Sequence, residues 1–304
     1  MRGEKERLCF EKIRIALFCK DGKLIPDPDG YSAFDVDDEA FLKETTLYCN
    51  SDFNKNYFGL LREDRSEFAN IIRTARPNPS ESEFPDFIFK NGFIEHFQIT
   101  SSRVTCKGAT HARKISDFQR KIKDETDTLE EKWNKEPCFD KVRSKSWTFQ
   151  NPEHNHDFLM DSFKRNWEHH FESWKKYSGE KEIGIFLIEY PEIALAMCEA
   201  MYEDWISGMS QGDLHEQQSF KDFRLSRDKD LLKYMYKFKD EIKYVIFLNS
   251  VRCEVVCTEN IPYLLRLMPW DYIIYPLQIF STSTISCITV EAPVTGEDEK
   301  ELLP

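Results

Sequence analysis

The sequence lacks any apolar run long enough to cross a bilayer. Its longest, near 183–188 and 244–248, are strand-sized, whereas a spanning helix needs about 20 residues. The opening residues MRGEKERLCFEKIRIALFCK carry charge throughout, and no small-residue cleavage site follows, so no secretory signal is expected. Paired CxxC motifs are missing as well. The nine cysteines are odd in number and widely spaced, which suits reduced thiols in a cytoplasm better than a disulfide framework. There is no GxxxxGKS/T loop, which disfavours a nucleotide-hydrolysing motor, and no GxSxG nucleophile turn. Neither a repeat of 20–50 residues nor a low-complexity tract is visible. Positive charge is in deficit, with 42 Lys+Arg against 54 Asp+Glu and a net charge of −12. That balance argues against a protein that coats nucleic acid non-specifically. The expectation is a soluble cytoplasmic protein with no membrane partner.

What the chain does contain is enough material for a core. It has 304 residues, 40% hydrophobic and 14% aromatic with 24 Phe, so one or two folded domains are expected rather than disorder. Residues 12–19 alternate loosely and read as a hairpin arm, and 27–38 read as a loop. Residues 57–76 place Phe58, Leu61, Phe68, Ile72 and Ala75 on one helical stripe, which Pro77 ends. Helices are predicted from 109 to Pro137 and over about 157–177, together a helical arm spanning 109–177. EIGIFLIEY at 182–190 reads as a buried central strand. Beyond it, 192–207 and 226–242 read as helices, 243–248 and 251–258 as strands, 261–268 as a short helix and 272–290 as further β-rich chain. The fold class expected is α/β (α+β), a mixed central sheet flanked by helices. Residues 1–56 would be an N-terminal β/loop segment packed on a 57–290 domain, and 291–304 an acidic tail.

The segment richest in chemistry is FPDFIFKNGFIEHFQITSSRVTCKG, residues 84–108. Asn91-Gly92 between two apolar runs is a hairpin signal. If these two residues form the turn, Lys90 pairs with Phe93, Ile88 faces Glu95, and Asp86 faces Phe97. Asp86 and Glu95 then share a face as diagonal neighbours. Two carboxylates so close repel unless a cation or proton lies between them, and a hard cation such as Mg²⁺ takes such oxygen ligands.

Pro85-Asp86 followed at hairpin distance by Glu95 resembles the PD-(D/E)xK, or restriction-endonuclease-like, nuclease superfamily. The resemblance covers roughly residues 57–190, and its motif residues are few. It implies a restriction-endonuclease-like core, here interrupted by the helical arm after the motif hairpin. It also implies Mg²⁺ or Mn²⁺ held by Asp86 and Glu95, with Glu67 as the helix carboxylate many members supply. The implied activity is metal-dependent endonuclease hydrolysis of phosphodiesters in DNA, with RNA as the other substrate, in the setting of restriction or phage defence. A homodimer or a partner protein is also in keeping with the family. The motif lysine falls at Phe97 in this chain, a departure from the family's pattern. Gln98 and Lys107 are the candidate catalytic substitutes, although strict alternation turns Gln98 away from Glu95, to the side of His96. The alternative is a non-catalytic nuclease-fold protein that binds nucleic acid or a partner protein.

Residues 103–123 carry seven basic side chains against one acid, a net +6 that leaves −18 on the rest. Arg103, Lys107, Arg113, Lys114, Arg120 and Lys121 are therefore the candidate phosphate-gripping residues. His111 opens the apolar stripe of the same helix and suits packing, capping or substrate contact. His154-Asn155-His156 spells an HNH tripeptide but lacks that fold's ββα frame. His169-His170 point different ways on a helix and make a poor chelate, and Cys253 with Cys257 lack a second pair for zinc. Glu189 reads as the exposed end of its strand, with an outer-shell acid as the alternative.

Overall fold

The computed structural model describes residues 3–18, 25–26, 32–33, 62–80, 83–105, 108–135, 142–200, 219–249, 253–267, 271–278 and 280–288. Its helices are α1 (Glu4–Phe18), α2 (Arg62–Thr74), α3 (Thr110–Lys135), α4 (His156–Lys176), α5 (Lys229–Tyr236) and α6 (Ile261–Leu267). The strands that build the sheets are β1 (Arg76–Pro77), β2 (Phe87–Phe89), β3 (Gly92–Gln98), β4 (Val142–Gln150), β5 (Ile183–Tyr190) and β6 (Leu195–Glu199). They continue with β7 (Ser219–Phe220), β8 (Tyr244–Asn249), β9 (Cys253–Cys257), β10 (Tyr272–Pro276) and β11 (Phe280–Ile288). The chain divides into two units, Met1–Val104 with His154–Leu277, and Thr105–Glu153 with Gln278–Pro304.

The first unit is built on a mixed sheet in the order β9–β8–β5–β3–β2–β1. Strands β3, β5 and β8 run parallel, and the remaining pairs are antiparallel. Every residue of β5 is buried, as a continuous apolar run covered on both faces requires. Ile185 and Leu187 join the core under α1 and α2, whereas Phe186, Ile188 and Tyr190 join the core under α4, α5 and α6. On α4, Leu159, Phe163 and Trp167 recur every four residues and are fully buried. Each such side chain contributes roughly 2 kcal/mol of burial free energy. A small antiparallel sheet, β7–β6–β10, completes this unit.

The second unit sets α3 against the antiparallel ribbon of β4 and β11. Ile115, Phe118, Ile122, Leu129 and Trp133 form a half-buried stripe, and no residue of α3 is fully buried. Phe118 packs on Phe149 with ring centroids 5.1 Å apart, and the Trp147 indole N–H donates to Glu125 Oε2 at 2.6 Å.

A mixed sheet flanked by helices is the fold class the patterning predicts. Several elements differ. Residues 12–18 belong to helix α1 rather than a hairpin arm, and Cys9, Phe10 and Ile13 supply its buried contacts at helical spacing. Within 192–207 the described part is strand β6, because pairing with β10 and β7 overrides the helix preference of Leu, Ala and Met. The span 109–177 is not one arm. VRSKSWTFQ alternates with period two and forms β4, and α4 packs on the sheet of the first unit. The helix expected over 226–242 shortens to α5 after a 3₁₀ turn at Leu225–Arg227. Residues 57–61, most of 27–38 and the tail 291–304 lie outside the described residues.

The hairpin register also differs from the expected one. Phe89 pairs with Gly92, Ile88 with Phe93 and Phe87 with Ile94, so the turn is Lys90–Asn91 and Gly92 lies inside β3. Gly92 is there for close approach: a Cβ on it would sit 2.0 Å from the Ile183 carbonyl oxygen of β5. Extending this register by one residue sets Asp86 directly opposite Glu95 instead of diagonal to it.

Candidate active site

Asp86 sits at the entry to β2, and Glu95 is central in β3. The Asp86 backbone N–H donates to Glu95 Oε2 at 3.0 Å, and the His96 backbone N–H donates to Asp86 Oδ2 at 2.8 Å. Glu95 is 6% exposed. On its other side it meets α4, where His170 Nδ1 and Glu95 Oε1 are joined by a 2.7 Å hydrogen bond. The loop leading to Asp86 is fixed by Asn78, whose backbone N–H and side-chain amide donate to the Asp86 and Pro85 carbonyls, both at 2.8 Å.

Burial raises Asp86 to about 7, helped by the charge of Glu95, and burial raises Glu95 to about 8. The two titrate as a pair that retains protons at neutral pH where isolated carboxyls would not. Burial also lowers His170, which keeps its ring neutral. A cleft of about 310 Å³ opens beside Asp86, lined by Glu6, Arg7, Asn78, Ser80 and Glu83 among others. Asp86 and Glu95 offer carboxylate oxygens, the donor type a hard divalent cation takes.

Position 97, where the resembling family carries lysine, is Phe97. Its ring is buried and stacks on His170 at 4.8 Å and 16°. Alternation along β3 is unbroken, since Gly92 to Gln98 pair in step with Ile183 to Glu189. Gln98 therefore faces the α1 side, where its amide donates to Glu189 Oε2 at 2.5 Å, and it does not reach the Asp86–Glu95 pair. Glu189 is not an exposed strand end. It is 8% exposed and lies near His96 and Lys12. Burial works to raise it, but His96, Gln98 and Lys12 outweigh burial and hold it at about 2.

Glu67 is held elsewhere on the sheet, accepting from Lys243 Nζ and the Tyr244 hydroxyl, each at 2.6 Å. Lys107 lies outside the described residues. Arg103 is exposed at the end of the first unit. Arg113 and Lys114 are exposed on the first half of α3 in the second unit, where Arg120 pairs with Asp117 and Lys121 with Glu125. His111 packs against Phe149. Asn155 caps α4 by accepting the Phe158 N–H, and His156 pairs with Asp228 at 2.6 Å, so the HNH tripeptide is a helix start.

Sequence reasoning gave no role to a third polar cluster, at the end of β3. The Ser101 hydroxyl bonds His154 Nδ1 at 2.8 Å, the Tyr190 hydroxyl at 2.7 Å and Glu192 Oε2 at 3.1 Å. The residue types suggest a hydrolase triad, but Ser101 and Glu192 both face the same nitrogen, Nδ1, with Glu192 at 3.5 Å. A triad needs opposite nitrogens of the ring. Ser101 is also completely buried, so this network ties the chain after β3 to the segments around it.

Among the described residues, no helix is long and apolar enough to cross a membrane. Comparison with family models, curated proteins and solved structures finds no match.

Proposed function

We propose that the chain is a metal-dependent nuclease whose catalytic centre is Asp86, Glu95 and His170. The observation that carries this reading is the pair of hydrogen bonds that hold both carboxylates at the start of β2, Asp86 N–H to Glu95 Oε2 and His96 N–H to Asp86 Oδ2. Its support includes the frame around the pair: helix α2, the β1–β2–β3 meander, and β5 parallel to β3. Asp86 and Glu95 would hold Mg²⁺ or Mn²⁺. Bound there, the ion would polarise a phosphodiester and lower the pKa of a water. Asp86 contributes oxygen and charge at the cleft, and Asn78 fixes its backbone. His170, neutral and bonded to Glu95 Oε1, is the group that carries a proton in place of the lysine missing at position 97. The exposed Arg113 and Lys114 would grip backbone phosphates of DNA, with RNA as the other substrate. A role in restriction or phage defence, and a cytoplasmic setting with a homodimer or partner protein, follow only from the family resemblance.

The test is cleavage of DNA and RNA with Mn²⁺ or Mg²⁺ by the wild-type chain, Asp86→Asn and Glu95→Gln. Both variants should lose metal-dependent cleavage. If they cut as the wild type does, the site is misassigned.

One observation favours a second reading, a non-catalytic scaffold that binds nucleic acid or a partner protein. The lysine position is filled by an aromatic ring packed into the core. In that case the protein would bind nucleic acid with no dependence on Mn²⁺, and Asp86→Asn would leave binding intact.

A further inference from the structure

Residues 95 and 96 of β3 point to opposite faces of the sheet. Glu95 faces α4, and His96 faces α1 together with Gln98 and, from the parallel neighbour β5, Glu189. Helix α1 lies over this second face and contributes Cys9 from its buried side. One ligand atom each from Cys9, His96 and Glu189 lies within 4.8 Å of the others, and all three residues are buried.

The His96 ring supplies an independent sign. It is 7% exposed, and its Nε2 is buried without a hydrogen-bond partner. A carboxylate is near, with Glu189 Oε2 3.4 Å away. Two other histidine–carboxylate pairs close up, to 2.6 Å for His156–Asp228 and 2.7 Å for His170–Glu95, and the third, His154–Glu192 at 3.5 Å, has its ring nitrogen bonded to Ser101 instead. His96 and Glu189 do not close, although both are buried and a lost bond there is costly. Their separation is that of two ligands on one ion. Nitrogen and oxygen each at about 2.0–2.1 Å from a tetrahedral zinc stand about 3.4 Å apart.

We propose that Cys9, His96 and Glu189 bind a zinc-class divalent ion that pins α1 to the central sheet. Thiolate, imidazole and carboxylate together suit Zn²⁺ and Co²⁺ and exclude Mg²⁺ and Ca²⁺, which take oxygen ligands. One thiolate and one carboxylate balance the ion's charge. On binding, the Cys9 S–H bond breaks, the sulfur pair forms the bond to the ion, and the proton leaves to solvent. Gln98 donates to the Glu189 carboxylate and orients it, and Lys12 lies 3.6 Å from its other oxygen. These are the outer contacts that zinc ligands ordinarily keep. Three protein ligands leave a fourth position for water. The site is independent of the nuclease reading, because it uses the other face of β3 and a different class of ion.

The experiment strips the purified full chain with chelator and titrates it with Zn²⁺ and with Co²⁺. The expected result is one ion per chain, with Co²⁺ giving a thiolate charge-transfer band. Cys9→Ala and His96→Gln should each weaken binding by more than about 100-fold, and Gln98→Leu by about 10-fold. Asp86→Asn should leave it unchanged, which separates this site from the oxygen-ligand pair. If Cys9→Ala fails to fold, zinc X-ray absorption on the wild type still decides. One sulfur at about 2.3 Å with nitrogen and oxygen at about 2.0 Å supports the site. Absence of stoichiometric zinc, a sulfur-free or multi-sulfur shell, or a cobalt band that survives Cys9→Ala would overturn it.

Discussion

Glu95 Oε2 accepts the backbone N–H of Asp86 at 3.0 Å, so the two acids are locked together by main chain as well as by register. Their carboxyls cannot separate to relieve repulsion without breaking strand entry. Relief must come from a proton or a cation.

The first prediction concerns pH. In the folded chain both carboxyls are raised, from ordinary values of 3.8 and 4.5 to about 7 and about 8. The native state therefore binds more protons than the unfolded state across that window, and stability falls as pH rises through it. Urea denaturation in chelator should show stability falling by several kcal/mol between about pH 4.5 and pH 8. Asp86→Asn should flatten the profile, and so should saturating Mn²⁺.

His170 should behave as a proton-carrying group and not as a ligand. His170→Ala should cut turnover by roughly 10²-fold or more while Mn²⁺ affinity changes little. The acidic limb of the pH–rate profile should change with it. A purely structural His170 would lower stability and leave the shape of the profile intact.

Gly92→Ala tests the register. The added methyl would meet the Ile183 carbonyl at 2.0 Å, forcing β3 and β5 apart at a cost of roughly 3 kcal/mol. Asn91→Ala, in the turn itself, should cost far less. Thermal melts of the two variants check the order, and the reverse order would restore Asn91-Gly92 as the turn.

Arg113 and Lys114 are exposed at the basic end of α3. If they contact phosphates, the Arg113→Ala/Lys114→Ala double variant should lower the salt slope of nucleic-acid binding by about 2. Arg120→Ala and Lys121→Ala should matter less, since both side chains already pair with acids on the same helix.

Much of this fold was legible because burial leaves a periodic trace. IGIFLIEY announces a strand covered on both faces, and the Leu159–Phe163–Trp167 stripe announces α4. Asp86 and Glu95 were legible as a pair, since either hairpin register puts them on one face. Less visible were features set by partners distant in sequence. β6 looks helical until β10 arrives, from Tyr272 onward, to pair with it. Likewise, nothing in HHFESW marks His170 as the partner of Glu95. Gly92 was misread because a glycine needed for close approach and a glycine needed for a turn look the same in sequence. Cys9 gave no signal at all, because it lies on helix α1 and its neighbours His96 and Glu189 come from strands β3 and β5, far away in sequence.

The most direct test of the central claim is Mn²⁺ binding by calorimetry on the wild type, Asp86→Asn and Glu95→Gln, at several pH values in buffers of different ionisation heat. The account predicts one oxygen-ligand site that releases protons on binding near pH 7, gains affinity as pH rises toward 9, and disappears in both variants. Wild-type protein that binds no Mn²⁺, or that binds it equally well in Asp86→Asn and Glu95→Gln, would contradict it.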